Sequence, residues 1–178
     1  MVLHNISCFQ IINIEQEALV YKKKNEKGIS LFANQDIMVN TPICVYYGDI
    51  VNKKNMYNEY VINQDNYINN ISPYLRDINE NNVVNGKDEL NNDNLNLCGV
   101  IVNDYCNIKN ISNEEIIKYN NSKDKCNVSI IETKDFPIYF SIKNIRKNEE
   151  ILTHYGIHYW LLQNNVKPEN LKEILNFI

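Results

Sequence analysis

With 178 residues, 44% of them hydrophobic, the chain can bury a sizeable core and fits one domain, or one domain with an appendage. A formal charge of −4 argues against the basic face of a general nucleic-acid binder and mildly favours a basic protein or peptide as partner. Five cysteines without a C-x-x-C pair argue against a disulfide framework and a self-evident zinc site, so reduced thiols in an intracellular compartment, nucleus or cytoplasm, are expected.

Residues 1–17 form an N-terminal extension. The start MVLHNISCFQIINI lacks a basic n-region, and its apolar residues are broken by His4, Asn5, Gln10 and Asn13, so neither a signal peptide nor a membrane span is expected. From 18 to 51 the chain reads as short strands, ALVYK, ISLFAN and, after the Asn40-Thr41-Pro42 break, PICVYYGDIV. Lys22-Lys23-Lys24, beside Asn25 and Glu26, reads as a solvated turn rather than a targeting patch. Residues 52–97 are Asn-rich and poor in periodicity, an irregular insertion in which NMYNEYVI is able to make a helical turn.

CGVIVNDYC, 98–106, reads as a buried strand leaving the core, followed by a loop over 107–125. In that loop Ser112 stands three residues before Glu115, the capping-box spacing that starts a short helix. NVSIIETKD and FPIYFSIKNI pair as a hairpin, and EEILTHYG closes the β-rich part. Over 161–178, Leu171, Ile174, Leu175 and Ile178 recur at helical spacing, with Pro168 suited to a first turn. The apolar stripe of this C-terminal helix is expected to dock on its own domain, with a homodimer contact as the alternative.

Three separated blocks, together with their order and spacing, resemble a SET domain, the fold of most protein lysine methyltransferases. KGISLFANQDIMVNTPICVYYGDIV (27–51) resembles the family's opening, VIVND (100–104) stands in place of its Asn-His-Ser segment, and IYFSIKNIRKNEEILTHYG (138–156) resembles its closing block. A strand ending in F-A/S-x-x-x-I before a turn occurs in both flanking blocks. The ending YGIHYW is most similar to small viral members. The resemblance implies a β-rich α+β fold of several small sheets with a catalytic domain over 18–160, S-adenosylmethionine as cofactor, and methyl transfer to a protein lysine. Histone tails are the first substrate class to try, and no membrane or direct nucleic-acid contact is expected.

Methyl transfer from a sulfonium to an amine is an in-line displacement that needs a neutral amine held behind the methyl carbon. A lysine pKa of about 10.4 makes the neutral form cost roughly 4 to 5 kcal/mol at pH 7. Desolvation in an aromatic channel and a nearby positive sulfonium both lower that pKa. By resemblance, Tyr155 faces the place where amine and methyl meet, and Tyr46 lines the lysine channel. Thr153 stands where a Phe or Tyr influences the number of methyl groups added. Lys27, Gly28 and Ile29 approach the methionine part of the cofactor, Asn103 and Asp104 its amine and adenine, and Tyr159 or Trp160 stacks on the adenine.

The departures are Ser30 for a second glycine, Asp104-Tyr105 for His-Ser after the motif Asn, and Val100 for an Arg. They leave a second reading, a SET-like binding module without turnover. No C-x-C follows Tyr155, and Cys98, Cys106 and Cys126 lack a fourth close partner, so no metal is expected.

Overall fold

The computed structural model describes residues 18–26, 28–63, 72–109, 111–133 and 135–164. Within them, four small sheets share one frame. Strands β1 (Val20–Asn25) and β2 (Gly28–Ala33) form an antiparallel hairpin with Asn25 opposite Gly28. Gly28 closes the turn at φ 105°, a backbone state that costs glycine little and other residues much. The three lysines expected in a turn lie instead on β1, opposite Ile29, Ser30 and Leu31. Local charge outweighed their β-pairing in the sequence reading.

Strands β3 (Pro42–Val45) and β4 (Asp49–Asn52) split the stretch read as one strand, with Gly48 at the break. A Cβ on Gly48 would stand 2.1 Å from the Asn85 carbonyl oxygen, so the close approach there requires glycine. Helix α1 (Lys53–Ile62) follows, and β5 (Leu75–Asp77) and β6 (Asn82–Asn85) then complete a sheet in the order β4-β6-β5. The insertion read as irregular is therefore built on a hairpin. Its strands are only three and four residues long, LRD and NVVN, too short to show a period in the sequence.

Residues 98–106 also differ from the expected buried strand. A 3₁₀ turn at Gly99–Ile101 leads into a two-residue strand β7 (Asn103–Asp104). A Cβ on Gly99 would lie 2.8 Å from the Tyr46 backbone nitrogen, which ties this turn tightly to the strand end at Tyr46. An apolar run alone does not distinguish such a turn from a strand.

Helix α2 (Asn113–Asn120) starts as the capping box predicts, with Ser112 Oγ accepting from the Glu115 amide at 3.2 Å. Strands β8 (Val128–Ile131) and β9 (Ile138–Ser141) form the expected hairpin, and β3 joins them in the order β3-β9-β8. All four residues of β9 are buried, as suits the central strand. Strand β10 (Leu152–Thr153) pairs in parallel with β7 and brings the third block beside the second. Helix α3 (Ile157–Gln163) begins after Gly156, at φ 92°. The amphipathic repeat over 171–178 lies outside the described residues, and none of the described helices is long and apolar enough to cross a membrane.

The F-A/S-x-x-x-I repeat is a structural repeat. Ile37 and Ile145 exchange backbone hydrogen bonds, both 2.8 Å. Three residues further on, Asn40 and Asn148 take the same left-handed conformation, φ 65° and 68°. Asn40 donates to the Ser141 carbonyl and Asn148 to that of Ala33, each at 2.8 Å, so each corner is capped on the other block. The main apolar core, including Leu31, Ile43, Tyr139, Ile145 and Ile151, lies within this frame. A second core of Ile108, Ile116, Tyr119, Ile157, Trp160 and Leu161 joins α2, α3 and the loop between β7 and α2.

Candidate active site

Four segments converge on a group of tyrosines. Tyr46, at the end of β3, is buried and donates its hydroxyl proton to the Tyr74 carbonyl at 2.8 Å. Tyr155, after β10, donates its own to the Val102 carbonyl at 2.8 Å. With each proton committed to a carbonyl, both phenol oxygens keep lone pairs available to accept a hydrogen bond. Burial pushes both hydroxyls well above the ordinary tyrosine range, with Tyr139 the next influence on Tyr155 in the same direction. Tyr155 is thus a neutral phenol near pH 7, able to orient an amine but not to act as a base toward it. Tyr159, on α3, meets Tyr155 edge-on at 4.6 Å between ring centres. The Arg76 guanidinium, from β5, lies 4.8 Å from the Tyr155 ring centre and 5.7 Å from that of Tyr46.

A carboxylate fixes Tyr155 from behind. Asp104 is 4% exposed, and its Oδ2 accepts from the Tyr155 amide and from Trp160 Nε1, both at 3.0 Å. The Tyr119 hydroxyl also donates to it, and Oδ1 accepts from the Cys106 amide at 3.0 Å. One side chain therefore joins β7, α2, α3 and the Tyr155-Gly156 turn. Four donors offset the cost of burying its charge.

Two cavities meet at these rings. The smaller, about 440 Å³, is lined by Ile29, Asn103 and Val100; the larger, about 670 Å³, by Leu75, Arg76, Ile130 and Glu132; Tyr155 and Tyr159 line both. Both volumes suit a small-molecule or side-chain ligand. Two separate chambers sharing one tyrosine wall suit a reaction between ligands that enter from different sides. Residues 28–156 match the SET domain family. The chain belongs to the SET-domain family. It is a protein-lysine N-methyltransferase that uses S-adenosylmethionine. No curated protein matches the chain.

The smaller chamber of the SET domain fits its cofactor. Ile29 offers a 44% exposed apolar face beside the Asn103 carboxamide, and the chamber has room for a nucleoside-sized ligand. When bound, S-adenosylmethionine supplies a methyl group on a cationic sulfonium. Asn103 is anchored there through its Nδ2, 2.6 Å from Ser30 Oγ and 3.3 Å from the Ile29 carbonyl. Ser30, in place of the usual second glycine, is buried and thereby takes part in fixing Asn103. Gly28 precedes Ile29 on β2 and is not among the residues lining this chamber, while Lys27 lies outside the described residues.

Tyr46, Asp104, Trp160 and Thr153, all named in the sequence reading, line neither chamber. Asp104 turns its carboxylate into the second core, and Trp160 points its indole nitrogen at that carboxylate. Of the two aromatic residues considered for adenine, only Tyr159 lines the smaller cavity. Thr153 is 4% exposed on β10, and its carbonyl accepts from the Tyr105 amide. Arg76 escaped the sequence reading because it stands in the stretch read as irregular, where only the strand pairing reveals which residues face the site. Asp104 was noticed as a departure from the family pattern, but its bonding to α2 and α3 depends on contacts far apart in sequence.

Among the described residues no three His, Cys, Asp or Glu side chains are grouped so as to hold a metal ion. Cys44 is buried, and a hydrogen bond with Cys98, aided by burial, pushes its thiol up. Burial likewise pushes Cys126 up to about 11, so neither is a thiolate at neutral pH.

Proposed function

We propose that the larger chamber receives the lysine-bearing segment, the smaller one the cofactor, and that Tyr155 positions the amine where they meet. The observation that carries this reading is the shared wall: Tyr155 and Tyr159 line both cavities. In it, the Tyr155 oxygen accepts a hydrogen bond from the neutral amine and directs its lone pair along the line of displacement. Tyr46 lines neither cavity and becomes a second aromatic wall of the channel only when the Arg76 guanidinium, 5.7 Å from its ring centre, moves aside. Asn103 presents its carboxamide oxygen to the cofactor's methionine amine, and Ile29 and Tyr159 supply apolar surface to the rest. Asp104 and Trp160 act on this site only through the position of the Tyr155 backbone. A site that excludes water favours the neutral amine over the ammonium ion.

Histone tails are the first substrates we propose, since a chain of formal charge −4 suits a basic partner. The ending Tyr155 to Trp160, YGIHYW, supports a place among small viral members of the family. Incubation with methyl-labelled cofactor and a panel of histones, other basic proteins and the enzyme itself tests the substrate class. Transfer to a histone lysine is expected. Transfer to non-histone proteins alone would refute the histone assignment. Calorimetry with the cofactor tests the smaller chamber, where Asn103→Ala should weaken binding by about 1 to 3 kcal/mol. Equal affinity in wild type and variant would remove Asn103 from that site.

A further inference from the structure

We propose that Arg76 is a specificity-determining residue of the amine site, whose guanidinium holds the slot between Tyr46 and Tyr155 until a substrate lysine turns it outward toward Glu132. This rests on the reading of that slot as the lysine channel.

Arg76 reaches inward from β5, the outer strand of its sheet. Its guanidinium faces the Tyr155 and Tyr46 rings at 4.8 and 5.7 Å and bonds with the hydroxyl of Tyr139, a residue 1% exposed. Aromatic faces and a phenol oxygen form the kind of environment that receives a lysine head group. Among the described residues no carboxylate forms an ion pair with Arg76. The adjacent Asp77 is engaged by Lys53 at 2.8 Å. Arg76 is half-buried, and among the described residues two aromatic rings and one phenol, rather than an anion, face its guanidinium. Glu132 lines the same cavity and is exposed, so it offers a hydrated ion pair to a guanidinium that leaves the slot. Arg76 thus occupies the inward position on the rings, and Glu132 is its outward partner once a lysine displaces it.

The Arg76 guanidinium and a lysine head group cannot occupy the slot together. A lysine must displace Arg76, and its apparent affinity falls by the fraction of molecules in which the slot is already open. With the slot closed in nine molecules of ten, that loss is about tenfold. Selection then favours peptides whose other contacts in the larger cavity can drive the exchange.

The test uses the full chain as wild type, Arg76→Met, which retains side-chain length without charge, and Glu132→Gln. Binding of n-butylammonium, a lysine side-chain probe, is followed by tyrosine difference absorption. Cofactor binding is measured separately by calorimetry, and kcat and KM with a histone mixture complete the set. Arg76→Met should bind the probe about tenfold more tightly than wild type. Its KM should fall by a similar factor while kcat changes less than about threefold. Glu132→Gln, altered at an exposed position, should bind the probe about two- to fivefold more weakly because the outward position is lost. Unchanged or weaker probe binding in Arg76→Met overturns the proposal. Should that variant not fold, unchanged probe binding in Glu132→Gln overturns it instead. Failure of the wild type to bind cofactor would count against the smaller chamber and leave the probe measurement decisive for Arg76.

Discussion

The frame built by the two flanking blocks and the second core behind Tyr155 solve the same problem by opposite means. In the frame, apolar residues are buried and two matching corners exchange backbone hydrogen bonds through Ile37 and Ile145. Many modest contacts share the stability there. The second core places one carboxylate, Asp104, at the meeting point of two helices and the Tyr155 turn. Stability that is distributed tolerates single losses, whereas a polar hub concentrates both order and risk. Tyr155 stands at the seam: its amide belongs to the hub, and its hydroxyl donates to Val102, a residue of the main core.

The largest effect should come from removing the hub. Asp104→Ala strands four buried or partly buried donors, those of Cys106, Tyr119, Tyr155 and Trp160. At about 1 kcal/mol or more each, the loss should be about 4 kcal/mol or more, measured by denaturant unfolding. An equally stable variant would show that the second core does not depend on its polar centre.

Tyr155→Phe separates chemistry from packing at the seam. The ring stays, and the Val102 carbonyl loses a donor, which limits the stability cost to about 1 to 3 kcal/mol. If the oxygen orients the amine, the barrier should rise by about 2.7 to 4 kcal/mol, or about 10²- to 10³-fold in single-turnover rate. Cofactor affinity should change much less. Wild-type turnover in a folded variant would assign the hydroxyl to packing alone.

The two regions were unequally legible in the sequence. The frame was visible because its logic is repetitive: Phe32 to Ile37 and Phe140 to Ile145 carry the same spacing, and β8–β9 reads as a hairpin. Ser112 and Glu115 announced α2 because a helix cap is a local device. Asp104 gave no comparable signal, since its partners lie at 106, 119, 155 and 160 and only the fold brings them together. Arg76 was hidden for the same reason. Tyr46 and Tyr155 were found by resemblance to a family pattern, which records the outcome of folding rather than a local preference.

The paired corners allow a finer comparison within the frame. Asn40 and Asn148 hold left-handed conformations that an Asn tolerates and an Ala does not. Each Ala substitution should cost about 1 kcal/mol, or about 2 to 4 °C of melting temperature in a chain of this size. Asn148→Ala should lose slightly more, since Asn148 Oδ1 also accepts from the Tyr21 hydroxyl at 3.1 Å. Replacement by glycine should preserve the backbone term at both corners. A large loss at one corner with none at the other would show that the repeat is geometric but not energetic.

The smallest expected effect is a pH dependence confined to the second core. His154 packs 4.2 Å from the Tyr119 ring centre, and its Nε2 is buried without a hydrogen-bond partner among the described residues. Burial holds its pKa below the ordinary histidine range; the nearby Asp104 carboxylate opposes this shift and Lys123 adds to it. The unfolded chain therefore binds a proton at a pH where the folded one does not. Stability from this residue is present above the unfolded pKa of about 6.5 and is lost as pH falls through it toward the lower folded value. Wild type should lose more melting temperature than His154→Leu between about pH 7.5 and 5.5, because the leucine variant has nothing to protonate there. Acidic groups elsewhere titrate in both proteins, so the difference between the two curves isolates His154. Parallel curves would show that its ring is protonated as readily in the folded protein as in the unfolded chain.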